Sequence, residues 1–499
     1  MNDPETKVER ENFGSRLGFI LVSAGCAIGI GNVWKFPYLC GQYGGAAFIL
    51  IYLAFLAILG IPMMVAEFTL GRGSRRSVAK AFDVLEPEGT RWHHAKWISV
   101  AGCVILMMYY TMVAGWMAYY CFRGFRGDFV GESPQSVTAS FDTMMGSPSI
   151  LIGWTIAICV IGFAIVYIGL QKGVENVSKA MMIALLVIMV ILAIHSIFLE
   201  GAGKGIRFYL VPDFANMKEQ GIFNVIFAAM SQAFFTLSVG NGAMLIFGSH
   251  IKKERSLTGE AVMVTALDTF VALMAGFIVI PACFAFGLQP DAGPSLIFIT
   301  IPNLFSKMPG GQLWGGLFFL FLTFAALSTV IAVFENIISF DMDLTGSSRH
   351  KATLRCAAAI IVLSMPAVLG FNVLHGIQPM GEGTSIMDME DFLVSNNLLP
   401  LGALSFALFC TRKNGWGWEN FIKEADEGKG IKFPDIRFYV AYIIPAIIIV
   451  IYIKGYYDMF HGKSAGLFVG WMIFAIVMVA FVIWCATGKA KEMLKKENK

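Results

Sequence analysis

Charge is scarce in this chain. Only 14% of its 499 residues are Asp, Glu, Lys or Arg, whereas 57% are hydrophobic, a balance far from that of water-soluble domains. That deficit argues against a soluble globular fold and for an integral membrane protein. No soluble loop is long enough to carry a basic patch interleaved with aromatics, so no nucleic-acid partner is expected. The nine cysteines, at 26, 40, 103, 121, 159, 283, 356, 410 and 485, are scattered mostly through apolar runs. None forms a C-x-x-C or a Cys/His pair at metal-ligand spacing, and they read as small core residues. H-E-x-x-H and Walker loops are also missing from the sequence, and its G-x-S-x-G, at Gly462–Gly466, falls between two apolar runs without the strand-to-helix turn that motif needs. Zinc, serine-hydrolase and P-loop chemistry therefore lack their minimum parts. An enzyme is not expected, and any energy source should be something other than ATP hydrolysis.

Long apolar runs take the place of these motifs. A spanning helix needs roughly 20 predominantly apolar residues. Windows of that kind fall near 14–38, 44–70, 97–122, 150–170, 178–199, 222–248, 257–288, 312–341, 353–371, 392–411, 436–456 and 465–487. They predict an all-α polytopic membrane protein of about twelve helices surrounded by lipid. The polar MNDPETKVEREN start has no apolar run that would read as a cleavable signal. Most of the 37 lysines and arginines lie in the tails and the even-to-odd loops, which predicts cytoplasmic termini and a cell (inner) membrane location. The oligomeric state is left open.

Two of the windows are interrupted. SAGCAIGIGNVWKFP (23–37) sets Gly25, Gly29, Gly31, Asn32, Lys35 and Pro37 inside the first span, and SQAFFTLSVGNGAMLIF (231–247) sets Ser238, Gly240, Asn241 and Gly242 inside the sixth. Close helix packing explains a G-x-x-x-G such as Gly25 and Gly29 when it occurs once. A second interruption five spans later needs another reason, because broken backbone at membrane depth is tolerated only where it is buried in protein or lines a cavity. Five is odd, so helices 1–5 and 6–10 form a candidate inverted repeat, with the broken pair at corresponding positions. That pattern points to a transporter's binding site.

Oxygen-bearing side chains collect in the apolar spans: Asn32, Tyr110, Gln232, Thr236, Ser238, Asp268, Ser328 and Thr329. They suit a hard cation such as sodium, although hydroxyls in membrane helices often bond only their own i−4 carbonyl. Asp268 stands apart, since a carboxylate in mid-span is costly and reads as functional. Glu67 and Glu335 stay open between function and structural pairing. A channel would need repeated polar rings and an intramembrane enzyme a nucleophile with its base. A secondary symporter needs what is present: paired broken helices and a buried cation site.

SRLGFI, GIGNVWKFPY, GGAAF, GIPMMVAEFTLGR, the Tyr109–Tyr110 pair, QAFFTLSVGNG, GPSLIFITIP and FAALST occur in order along the chain. In this ordered set the chain resembles the neurotransmitter:sodium symporter family, whose members share the leucine-transporter fold, and looks like a bacterial amino-acid transporter. The resemblance implies a cytoplasmic segment 1–13, helices 1–5 in 14–200, helices 6–10 in 201–411, helices 11–12 in 412–488 and a cytoplasmic tail 489–499. It implies a first sodium at Ala27, Asn32, Thr236 and Asp268, and a second at Gly25, Ile28, Ala325, Ser328 and Thr329. The substrate's carboxylate would meet the amides of Ile30 and Gly31 and the Tyr110 hydroxyl, and its ammonium the carbonyls of Ala27, Phe235 and Thr236 with Ser238. Leu106, Phe235, Asn241, Thr329 and Val333 would surround its side chain. On this reading Asn241 could bond a tyrosine hydroxyl or an indole N–H. Gly29 stands where monoamine carriers have Asp, which implies an amino-acid substrate, neutral and bulky. Lys35 with Asp391 would form the outer gate, and Arg10 with Asp343 the inner one. Lys35 replaces the usual Arg, Ser328–Thr329 reverses the usual order, and Phe13, His250 and Ile183 depart from the usual Trp, Tyr and Pro.

Chloride-dependent relatives hold chloride with residues matching Tyr52, Gln232, Thr236 and a Ser. Here that Ser is Ala272, and a carboxylate stands one turn away at Asp268. The resemblance therefore implies sodium-coupled, chloride-independent uptake. Proton coupling in the same fold is the alternative.

Overall fold

The computed structural model describes residues 11–288 and 296–488, apart from the side chain of residue 216. Among the described residues there is no β-strand, only one isolated bridge between Arg255 and Lys429. The polypeptide folds into apolar helices long enough to cross a bilayer. We number the spans α1 (Arg16–Ala27 continuing as Gly31–Gln42), α2 (Ala46–Ser74), α3 (Trp92–Arg126), α4 (Pro148–Ile168), α5 (Leu170–Ile197), α6 (Ile222–Thr236 continuing as Ala243–Ser249), α7 (Leu257–Ala285), α8 (Gly311–Thr345), α9 (Arg349–Leu369), α10 (Ile386–Thr411), α11 (Tyr439–Phe460) and α12 (Ala465–Ala486). Among the described residues ten of these are helices long and apolar enough to cross, α1 is a bent pair that qualifies when its halves are joined, and α6 consists of two shorter helices at the position of the sixth window.

Some boundaries differ from the hydropathy windows. α10 begins at Ile386 because Ser385 and Asp388 form a capping box, with Asp388 N donating to Ser385 Oγ at 3.2 Å and Ser385 N donating to Asp388 Oδ2 at 2.7 Å. Such a polar first turn is stable helix that a hydropathy average rejects. α5 begins at Leu170 with the polar turn LQKGVE, for the same reason.

The core is shared by the helices that surround the two breaks. In its most apolar stretch, α8 is 78% buried and α10 83%, whereas α12 is 11% buried. A helix that is apolar all round yet exposed is lipid-facing. Glu335, left open above, is a structural partner here: its carboxylate takes both terminal nitrogens of Arg349, at the start of α9, one of them at 3.1 Å. On the inner side Arg72 is buried, with Nε 2.6 Å from Glu424 Oε1 and Nη1 2.7 Å from the Arg255 carbonyl. This ties α2 to the short helix Trp418–Ala425.

Candidate functional site

The first helical half of α1 ends at Ala27. Ile28 is extended at φ −70°, ψ 91°, and the axis turns by 57° before the chain resumes helix at Gly31. α6 stops at Thr236 and restarts at Ala243. Ser238 lies in the left-handed region at φ 51° and Gly240 at φ 107°. Gly240 is required twice over, because a Cβ there would lie 2.0 Å from the Leu399 carbonyl oxygen of α10. The freed backbone is satisfied internally, as membrane depth demands. Ser99 Oγ donates to the Gly240 carbonyl at 2.8 Å, Cys103 Sγ to the Asn241 carbonyl at 3.2 Å, and the Gly240 amide to Glu67. The same Glu67 carboxyl faces the amides of Gly242, Met244 and Leu245, so Glu67 holds the break in shape.

Three of the four residues expected for the first sodium, Asn32, Thr236 and Asp268, meet at one point, and the fourth, Ala27, lines the adjoining cavity. Asn32 Nδ2 donates to Asp268 Oδ1 at 2.8 Å, and Thr236 Oγ1 to Asp268 Oδ2 at 3.2 Å. Asn32 Oδ1 accepts from the Gly29 amide at 3.3 Å. All three side chains are buried, and α1, α6 and α7 each supply one. The second set also converges. Ser328 Oγ lies 3.0 Å from the Gly25 carbonyl and 2.9 Å from that of Ala325. Thr329 Oγ1 lies 3.2 Å from Gly25 O and 3.4 Å from the carbonyls of Cys26, Ile28 and Ala325. Carbonyl, hydroxyl and carboxylate oxygens are the donors a hard monovalent or divalent cation takes, and soft ligands are few.

Between the two sets lies a small cavity of about 30 Å³ lined by Ala27, Gly29, Ile30, Gly31, Leu106, Tyr110, Phe235, Thr236, Ser238, Asn241 and Thr329, joined by Cys26 and Leu399. Tyr110 Oη accepts from the Ile30 amide at 3.1 Å. The partial positive end of the outer half of α1 and the partial negative end of the outer half of α6 both point here, which suits a zwitterion. Val333 is buried but does not line the cavity, being one turn further inward on α8. Cys26 and Leu399 were missed because nothing in an apolar residue's own context marks it as lining.

Outward of this cavity is a vestibule of about 240 Å³ reaching Trp34, Lys35, Tyr109, Met387 and Asp391. Ile30, Gly31, Tyr110 and Phe235 line both spaces and so form the partition. Lys35 and Asp391 share the vestibule but form no ion pair. Lys35 Nζ sits 4.0 Å above the Phe235 ring, and Asp391 Oδ1 accepts from Tyr109 at 2.8 Å and Ser395 at 3.0 Å. A lysine point charge has no fork geometry to hold a carboxylate against competing hydroxyls.

On the inner side, Arg10 lies outside the described residues. Asp343 accepts from Ser77 N at 2.8 Å and Ser77 Oγ at 2.6 Å, with Arg76 Nη1 3.4 Å away. A second tether was not anticipated. Glu175, at the start of α5, accepts from Gly14 N at 2.7 Å, Ser15 N at 3.1 Å and Ser15 Oγ at 2.8 Å. A Cβ on Gly18 would lie 1.9 Å from the same carboxylate, so α1 packs directly on it. Phe13 and His250 meet edge to face at 5.8 Å, covering the inner end of α6. The signal for Glu175 was present as a carboxylate in LQKGVE, but its partner is 160 residues away. Glu175→Gln keeps the shape and loses one acceptor. Amide exchange at residues 14–18 should rise by about tenfold, corresponding to about 1.4 kcal/mol, near what one charged hydrogen bond contributes. Unchanged exchange there would remove the tether from the inner closure.

The comparisons agree with this geometry. The family model described as "Sodium:neurotransmitter symporter family" matches residues 10–139 and 148–491. An uncharacterized sodium-dependent transporter of Bacillus subtilis, YhdH, is 32% identical over 89% of this chain and 97% of its own length. Another from Haemophilus influenzae is 32% identical over 89% of this chain and 98% of its own. The crystal structure of MhsT in complex with L-phenylalanine superposes with a TM-score of 0.80 at 36% identity, covering 89% of this chain and 100% of that one. With broken helices at the first and sixth positions and a match over nearly its whole length, the chain is a sodium-dependent, multi-pass membrane transporter that belongs to the sodium:neurotransmitter symporter family.

Proposed function

We propose that this protein imports a neutral, bulky L-amino acid, aromatic or large aliphatic, together with two sodium ions and without chloride, across the cell membrane, its termini cytoplasmic. The observation that carries this is the junction at the α1 break. There the Ile30 amide and Tyr110 hydroxyl adjoin the Asn32–Thr236–Asp268 oxygen cluster, so a carboxylate held at the first can share a cation with the second. Leu106, Phe235 and Leu399 give the rest of the cavity an apolar wall, and MhsT, similar in fold and sequence, was solved with L-phenylalanine. The ammonium would meet Ser238 and the carbonyls of Ala27, Phe235 and Thr236.

In this reading the residues act in concert. Phe235 and Tyr110 part to admit substrate from the vestibule, the cation oxygens draw α1, α6, α7 and α8 together, and the N-terminal segment releases Glu175 to open the inner path. Substrate and sodium then raise each other's affinity by the same factor, as linkage requires.

The test is binding and uptake by the purified, reconstituted protein, with each of the twenty amino acids, in sodium and in choline or potassium at fixed pH. The expected result is saturable uptake of aromatic or large aliphatic amino acids that falls by about 100-fold or more without sodium, a loss of about 2.7 kcal/mol. Undiminished uptake in choline would overturn sodium coupling. It would favour the second reading, proton coupling, for which the buried Asp268 carboxyl is the candidate proton carrier at the cation cluster.

A further inference from the structure

On the inner side, apart from the central cavity, a second cavity of about 220 Å³ lies between the start of α1, the loop 250–256 that joins α6 to α7, and the first turn of α7. Three cations line it, Arg16, Lys252 and Arg255, together with two acids, Glu254 and Glu260. The buried Phe19 and His250 form its floor.

The cations have more hydrogen to donate than this wall takes up. Glu260 is 3% exposed, and both its oxygens accept from Nε of Arg16, at 3.0 and 3.2 Å. That contact fixes the guanidinium and leaves its two terminal nitrogens without an acceptor among the described residues. The Lys252 and Arg255 side chains likewise have no hydrogen-bond or ion-pair partner among the described residues. Lys253, between them, turns away to Glu427 at 2.9 Å and Glu424 at 3.3 Å. A surplus of inner-side lysine and arginine sets orientation without choosing where each one points. Here one short loop sorts its cations between an acid pair and a cavity.

Three cations against two acids leave one positive charge on the cavity wall unbalanced. Arginine donors in a fixed fork match the oxygens of a phosphate group, and basic pockets between spans on the cytoplasmic side suit such groups. Leu17, next to Arg16, and Met263, one turn beyond Glu260, are exposed apolar residues that bring lipid to the mouth of the cavity. We propose that this cavity binds a phosphate oxyanion, either inorganic phosphate or the phosphodiester of an inner-leaflet lipid, and that the bound anion pins the start of α1 to the loop between α6 and α7. Its oxygens accept from Arg16 on one side and from Lys252 and Arg255 on the other. The start of α1 has to leave this loop for the inner path to open, so an anion that bridges the two binds the closed arrangement alone and suppresses opening by the factor 1 + [L]/Kd.

The experiment is amide exchange at residues 14–18 of the purified full-length protein, at fixed pH. In a detergent without phosphate, inorganic phosphate is titrated against chloride at matched ionic strength. In a second arm, vesicles of phosphatidylglycerol are compared with vesicles of a neutral glycolipid. Exchange is expected to slow about tenfold at phosphate concentrations ten times the Kd, or by a similar factor in phosphatidylglycerol. Slowing in the first arm identifies free phosphate as a ligand, and slowing in the second alone identifies the lipid headgroup. In Lys252→Gln combined with Arg255→Gln, both exposed positions, the protection should fall at least about tenfold, whereas Lys253→Gln should leave it within about threefold. No slowing in either arm overturns the site. So does equal slowing by chloride, which would be screening of charge, or protection that survives the double variant. None of these outcomes depends on which substrate is carried.

Discussion

Uptake by the wild-type protein is expected to continue undiminished when all chloride is exchanged for gluconate, whereas Asp268→Asn combined with Ala272→Ser should transport only when chloride is present. The reason is the charge environment of the Asn32–Thr236–Asp268 cluster. Asp268 is fully buried, and its two oxygens are held by the neutral groups of Asn32 and Thr236. A sodium ion bound beside it therefore has a fixed negative charge one contact away, in a setting where solvent cannot supply one. Removing one member of a buried ion pair costs about 3–5 kcal/mol, so chloride-free transport by the double variant should fall by roughly 100-fold or more. Ala272 is one turn further along α7 and equally buried. A hydroxyl there, with Tyr52 and Gln232 nearby on the sequence resemblance, would let chloride take the carboxylate's place. A large loss in chloride-free wild type would refute the idea, and a double variant indifferent to chloride would show that Asp268 does not supply the balancing charge.

Gly29→Ala is expected to weaken substrate binding by up to about 100-fold. A Cβ at this position would lie 2.5 Å from Tyr110 Oη and 2.9 Å from Thr329 Oγ1, well inside van der Waals contact. Both neighbours are committed: Tyr110 accepts from the Ile30 amide at 3.1 Å, and Thr329 sits among the carbonyls of Gly25, Cys26 and Ile28. The methyl must push the tyrosine off the α1 break or the threonine out of the second oxygen set. Overpacking of this kind costs typically about 1–3 kcal/mol. Here the strain falls on groups that would hold the substrate carboxylate and a sodium ion, so affinity for both should drop, by about 100-fold at the upper end of that range. Thermal shift on adding substrate and sodium measures it. A shift equal to that of the wild type would place the carboxylate site away from Gly29. Gly29→Asp should be worse for amino acids, since its carboxylate would repel theirs.

Much of this architecture was legible along the chain because membrane insertion writes itself locally. The apolar windows became ten spanning helices, the bent pair of α1 and the two short helices of α6, and the two glycine-bearing interruptions became the two breaks, since lipid allows unpaired backbone only where something else satisfies it. Residues that gather around cations were also readable as oxygen-bearing side chains in apolar runs, an expense that a span carries only for a reason. Partner choice was not readable. Glu335 and Glu67 look alike as isolated acids in apolar sequence, yet one is paired with Arg349 and the other holds the amide of Gly240. Lys35 and Asp391 look like a gate pair, yet the lysine caps Phe235 and the aspartate is taken by Tyr109.

The division follows from the range of the forces involved. Hydropathy and backbone breakage act over one helix, within about 20 consecutive residues, so composition and pattern along the chain were enough for the helix count, the broken spans and the chemical character of the cavity. Hydrogen bonds and packing act over about 3 Å between atoms. Which atoms come that close depends on helices meeting across 160 residues for Glu175 and Ser15 and 233 for Asn336 and Cys103. The inner tether and the link from Asn336 through Cys103 to the α6 break therefore came into view only once α1, α3, α5, α6 and α8 were packed together.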